Sequence, residues 1–341
     1  MLKLSVPLAA LVAVVALSGC PNGGPGAPEP VTQDDVPDLT DLTETDASDA
    51  AAAAQVGDPA TLLAAAQGEA NHVRTDVTHV LGFIKEATNR APDAHGENVE
   101  GQQFGRWDVS DPASGNAVHV IAIRTAPDRV RIVIQGENAS GESLPLMTGV
   151  FVKKAAHVGG GRFHVSFDNY SELFLPANTG HTGSLHFLFA NARPDLHGRR
   201  VLYVNVDDKA NPGNPQSFAA DLVRLVGIGG RFRSIYASDF VPQAQGDEAL
   251  GMRVAWKNGE GGRADVVIAS QANGGSILAV AHECWDDNGL RTAYQQTPES
   301  ADDANEGDTS NCFSLADSTV HQSQVQQSGA EDTDPDLDDA L

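Results

Sequence analysis

From about residue 98 onward the sequence pattern has a period of two, and that period excludes most folds. Val118, Val120 and Ala122 alternate with His119, Ile121 and Ile123, and Val130, Ile132 and Ile134 alternate with Arg129, Arg131 and Val133. Similar runs recur from Met147 to Tyr294, roughly every 10–15 residues. Turn-forming residues separate them: Pro127-Asp128, Gly159-Gly160-Gly161, Gly229-Gly230, Asn258-Gly259, Asn273-Gly274-Gly275 and Asn288-Gly289. No long helical pattern lies between successive runs, which disfavours parallel strands joined by helices. The expected fold is mainly β, a large antiparallel meander of about 10–12 strands, either open or closed like a barrel. A short helix is expected at Tyr170–Leu175. The runs are mostly about five to seven residues long and charged on both faces, too short for membrane strands, which need about nine to eleven.

The one long helix expected lies before the sheet, within residues 59–92. Val73, Val77, Val80, Leu81 and Ile84 recur at helical spacing, and Pro92 ends the segment. Asp58-Pro59 reads as a helix start, with a capping carboxylate and Pro at the first position. Gly68 is a candidate break. The apolar stripe needs a partner, and the sheet is the expected one.

Charge divides the chain further. The net charge is −24, but residues 21–58 hold nine acidic residues, residues 299–341 hold twelve, and neither stretch contains Lys or Arg. The part between is nearly balanced. These flanks cannot bury enough apolar surface to offset their ordering entropy. The expected layout is a signal peptide at 1–19, an acidic tether at 20–58, the helix at 59–92, the β domain at 93–318 and an acidic tail at 319–341. The excess of acid argues against nucleic acid as a partner.

The first twenty residues carry an address. Lys3 precedes an uncharged apolar run from Leu8 to Leu17, and Leu17-Ser18-Gly19-Cys20 follows. This closely resembles the lipobox of bacterial lipoproteins. The resemblance implies cleavage before Cys20, acylation of Cys20 with palmitate-like chains, and a membrane as partner through that lipid. Pro21 stands where an Asp would resemble an inner-membrane retention signal, so the outer membrane is the expected location, on its periplasmic or its surface face.

Cys284 and Cys312 remain. An even pair in an exported chain is most simply a disulfide, with two separate free thiols as the alternative. Across residues 185–315 the chain also resembles predicted lipoproteins of myxobacteria-like envelopes, a group of unknown function. Gly261-Gly262-Arg263-Ala264-Asp265, Glu283-Cys284-Trp285-Asp286, the strand around Tyr294, and Gly307-Asp308 before Cys312 carry that likeness. It implies the same envelope address, β content and disulfide, and no catalytic residue.

Motifs for chemistry are sparse. Gly227-Ile228-Gly229-Gly230 leads into a strand rather than a helix, so it reads as a turn and not a dinucleotide loop. The Gly-rich Asn178–Ser184 stretch lacks a phosphate-binding lysine. His282-Glu283-Cys284-Trp285-Asp286-Asp287 is the densest reactive cluster, but neighbours on a strand face opposite ways, so His282 and Glu283 do not converge. Asp302, Asp303, Asn305 and Asp308 form an acidic loop that is a weak calcium candidate; Gly307 falls out of register with an EF-hand. No GxSxG or SxxK occurs in a usable context. No catalytic residue, cofactor or firm metal site is expected. The leading expectation is a lipid-anchored envelope protein with a binding or structural role and not an enzyme, its partner an envelope protein. The alternatives are a carrier of a hydrophobic ligand on the concave face of the sheet, and a metal-dependent hydrolase, which needs three convergent His or carboxylate ligands.

Overall fold

The computed structural model describes Val31, residues 59–298 apart from 111–113, 138–140, 156–157, 176–178, 211, 214–215, 239–247 and 271–274, and residues 305–308 and 312. The period of two becomes fourteen strands. They are β1 (Ala94–Val99), β2 (Gln102–Ser110), β3 (Ala117–Ala126), β4 (Arg129–Glu137) and β5 (Ser143–Ala155). Then come β6 (Val158–Ser166), β7 (His181–Arg193), β8 (Leu196–Asp208), β9 (Gln216–Leu225) and β10 (Gly229–Ser238). The last four are β11 (Glu248–Lys257), β12 (Gly261–Ser270), β13 (Ile277–Trp285) and β14 (Arg291–Thr297). All pair antiparallel in sequence order, and β1 and β14 remain unpaired with each other, so the meander is open. Twelve of the strands coincide with the alternating runs; the β1–β2 hairpin is additional.

Helix α1 (Thr61–Ala87) packs on one face of this sheet. Leu63, Ala66, Ala70, Val73, Val77, Leu81 and Ile84 are buried along one stripe. They join the inward side chains of the strands in one continuous apolar cluster. A flat sheet of fourteen strands would be about 62 Å wide at ~4.8 Å per strand. The helix is about 40 Å long. Yet its start touches the β13–β14 turn, where Ala60 N–H donates to Gly289 O, and the residues after it reach β2, where Trp107 Nε1–H donates to Arg90 O at 2.7 Å. The sheet therefore curls around the helix.

Glycines opposite aromatics make that curl possible. Gly149, Gly161, Gly230 and Gly262 lie directly across from Phe163, Phe189, Trp256 and Trp285. A Cβ at any of the four would come within 2.8 Å of the facing ring, so each ring lies flat over the gap its glycine leaves.

Strand length differs from the expected five to seven residues, since all strands but β1 and β14 run nine or more, so length does not set them apart from membrane strands. Three further expectations change. The helix starts at Thr61, and its cap position is Ala60, which offers no side chain; Pro59 instead bridges to Leu290 in front of β14. Asp58 lies outside the described residues. Gly68 does not break the helix, because it is exposed and propagation through one glycine costs only about 1 kcal/mol. The short helix, α2 (Phe167–Phe174), begins three residues before the expected Tyr170 because Ser166 caps it, accepting from Asn169 N–H. One residue of the acidic stretch before α1 is also described. Val31 is fully buried in the main core, with its carbonyl oxygen against Gly105 beside the Trp107 ring.

Candidate functional site

Polar groups gather at two kinds of place: a few buried points on the helix-facing side, and a row on the outer side that Val150 and Leu188 interrupt. The buried points come first. Glu283 on β13 is completely buried and sits at the start of α1. Its carboxylate accepts from the N–H groups of Thr61 (2.9 Å), Leu62 (2.6 Å) and Leu63 (3.3 Å), and from the Thr61 hydroxyl. Arg291 Nε donates to the same carboxylate at 2.9 Å, while its Nη2 donates to Thr61 Oγ1 and its guanidinium lies over the Tyr294 ring. The orphan donors of the helix are thus satisfied by a side chain 222 residues away, where the helix dipole also favours negative charge.

Midway along α1, the Glu69 carboxyl hydrogen-bonds to the Ser234 hydroxyl on β10. Burial raises its pKa, and the Ser234 hydrogen bond only partly offsets this. Tyr236 nearby is pushed up to about 12, by burial first and by the Glu69 charge second. A carboxyl whose pKa is raised in the fold binds protons more tightly folded than unfolded. Its stabilising effect is therefore complete below its ordinary pKa of 4.5 and is lost as pH rises through the raised value. Glu69→Gln should flatten the fall of stability above pH 4.5 relative to the parent, checked by urea unfolding at a series of pH values; parallel curves would refute it.

At the β7–β8 end of the same face, Arg199 donates through Nη1 to Asn191 Oδ1 (2.9 Å) and Gly198 O (2.6 Å), and lies over the Phe189 ring. Burial lowers its pKa to about 10. These groups are enclosed on the helix side of the sheet, and their contacts are those of a packed interior.

The outer face differs. Arg131, Val150, Arg162, Leu188 and Arg200 stand directly opposite one another across β4 to β8. The row continues through Asp221, Arg233, Arg253, Asp265 and His282 across β9 to β13. Asp221 bridges Arg200 (2.5 Å) and Arg233 (3.1 Å). Arg231 and Arg263 flank this row, separated by Ala255.

One arrangement occurs twice on this face. Arg106 and Asp108 on β2 face His119 on β3; Arg263 and Asp265 on β12 face His282 on β13. In each, the Arg Nε donates to the Asp Oδ1 (2.6 and 2.8 Å), and the His Nδ1 lies 2.6 Å from the same oxygen. His119 Nε2 also lies 3.2 Å from Glu137. Asp265 Oδ2 is buried without a hydrogen-bond partner among the described residues. Each Asp oxygen accepts from an Arg and lies beside a His ring nitrogen, which the same Arg also approaches through Nη2 at 3.0 and 3.4 Å.

Of the residues singled out from sequence, Cys20 lies outside the described part. Cys284 and Cys312 are bonded, with Cα atoms 5.7 Å apart. Asp302 and Asp303 lie outside the described residues. Asn305 Oδ1 accepts from Gln296 N–H at 2.7 Å, and Glu306 exchanges both backbone hydrogen bonds with Tyr294. The described part of the calcium candidate, which also holds Asp308, is thus clipped along the open edge of β14. Among the described residues no three His, Cys, Asp or Glu side chains are placed to hold a metal ion. In the Gly-rich stretch, Gly183 N–H donates to the Asp168 carboxylate at 2.9 Å, leaving that amide no role in phosphate binding. Gly227–Gly230 turns β9 into β10, as expected. His282 and Glu283 face opposite sides, with His282 in the outer row and Glu283 under the helix. Sequence reasoning missed the cap, the twin Arg-Asp-His groups and the outer row. The chain matches no protein family, no curated protein and no solved structure.

Proposed function

We propose that this chain is a lipid-anchored envelope protein with a binding or structural role, held by an acylated Cys20. The Leu17-Ser18-Gly19-Cys20 sequence after an uncharged apolar run carries the reading. The Cys284–Cys312 bond supports it, since such bonds persist in oxidising compartments. The occupied helix-facing side favours a binding or structural role over carriage of a hydrophobic ligand. Cargo there would have to displace α1 and expose its buried stripe and the Glu283 carboxylate together.

Val31 shortens the tether. Eleven residue steps separate it from Cys20, about 36 Å at full extension, so the domain works close to the surface that anchors it. Cys20→Ser should move the protein from the membrane fraction to the soluble one and abolish labelling by palmitate. A mutant that still sediments with membranes would overturn the proposal.

A further inference from the structure

We infer that the outer arginine row is a docking surface for the acidic end of this same chain, residues 331–339. The surface is cationic although the domain as a whole is not. Its five arginines, with Arg231 and Arg263 beside them, outnumber the acids of the row, Asp221 and Asp265, and Arg131 also pairs with Glu100 at 3.6 Å from outside it. Arg200 is exposed, as is Arg231, and Arg233 is about half-buried. Guanidinium forks suit carboxylates, which they engage through two parallel hydrogen bonds.

The partner is set by where the chain goes. Cys312 is bonded to Cys284, which stands directly opposite Arg263 on the outer face. The chain therefore leaves the disulfide on the same side of the sheet as the row and beside its flank. Residues 313–330 then provide about 60 Å of reach, against about 43 Å for the nine strand intervals from β4 to β13. The stretch Glu331-Asp332-Thr333-Asp334-Pro335-Asp336-Leu337-Asp338-Asp339 follows, with six carboxylates and no cation. Extended, its alternate residues 332, 334, 336 and 338 repeat about every 7 Å. The arginines of the row are one or two strands apart from Arg162 to Arg253, about 5–10 Å. Sign, spacing, reach and exit point agree. An external anionic surface has the sign alone, and acidic flanks of the same chain would oppose its approach.

The test uses the full chain and a protease that cuts after glutamate, following release of the fragment beyond Glu331 by mass spectrometry. A free peptide of residues 326–341 reports the protease's own salt dependence. At ~50 mM salt the docked tail should be cut at least about tenfold more slowly than the peptide, and at ~1 M salt, where screening acts within about 3 Å, at the same rate. Replacing Asp332, Asp334, Asp336 and Asp338 by Asn should abolish the protection without touching the domain, and Arg233→Gln with Arg253→Gln should do the same. Cleavage at the peptide's rate at low salt, or protection unchanged by either set of substitutions, would overturn the inference. So would an unprotected tail in a chain whose row instead binds phosphatidylglycerol vesicles. None of these readings depends on whether Cys20 is acylated, so a soluble Cys20→Ser chain serves equally well.

Discussion

Glu283→Ala is expected to destabilise the domain by about 3–5 kcal/mol, the scale for removing one member of a buried, hydrogen-bonded charge pair. Three effects act together. The N–H groups of Thr61, Leu62 and Leu63 lose their acceptor, and Leu63 is buried where water has poor access. Arg291, only 9 % exposed, loses its carboxylate partner. The helix start loses the negative charge that its dipole favours. Glu283→Gln preserves the shape and one acceptor oxygen but not the charge, so it should cost less than Glu283→Ala and more than a surface change. Equilibrium urea unfolding checks both, since the midpoint should fall without a change in slope. Because a domain of this kind is stable by only about 5–15 kcal/mol, a loss of that size would also release α1 to local opening, seen as faster amide exchange at its start. A loss under about 1 kcal/mol for Glu283→Ala would show that water caps the helix equally well.

That dependence marks the boundary between what one-dimensional patterning reveals and what it hides. The meander was legible because a half-buried antiparallel strand writes its two faces into alternate residues, and because Asn-Gly and Gly-Gly pairs mark the reversals between strands. β1 and β2 escaped for physical reasons. β1 reads Ala-His-Gly-Glu-Asn-Val, lies at the open edge and buries none of these residues, so nothing selects an apolar face. β2 places Gly105 on the inner face where the pattern calls for an apolar side chain, because the Trp107 ring and the Val31 carbonyl fill that space. The start of α1 failed in a similar way. Local sequence offers Asp58 as the cap, whereas the fold supplies the capping carboxylate from β13.

The outer row was hidden by register rather than by distance. Gly-Gly-Arg occurs at 160–162, 229–231 and 261–263, each time opening a strand after a reversal. The second glycine of each turns inward beneath Phe189, Trp256 or Trp285, which forces its arginine outward. The recurring triplet was therefore a readable signal for both the curl of the sheet and its cationic outer face. Lining the arginines up across strands needs the pairing register, which alternation alone does not supply.

The disulfide is the second place where a single change should be costly. Cys312→Ser opens a loop of 28 residue steps. By loop entropy this should lower stability by about 3–4 kcal/mol, read as a drop in the urea midpoint with Cys284 alkylatable. Its effect should not be confined to the tail. Cys284 is the chain neighbour of Glu283, and the loop it holds pairs Glu306 with both backbone groups of Tyr294 on the open edge of β14, while Glu306 also approaches Arg291 at 3.4 Å. The bond therefore supports the arginine that completes the helix cap. Cys312→Ser and Glu283→Gln should consequently couple, with the double mutant less unstable than the sum of the two single changes by about 0.5–3 kcal/mol, as residues sharing one network do. Strict additivity in that cycle would mean that the edge loop and the helix cap are energetically separate despite their contact at Arg291.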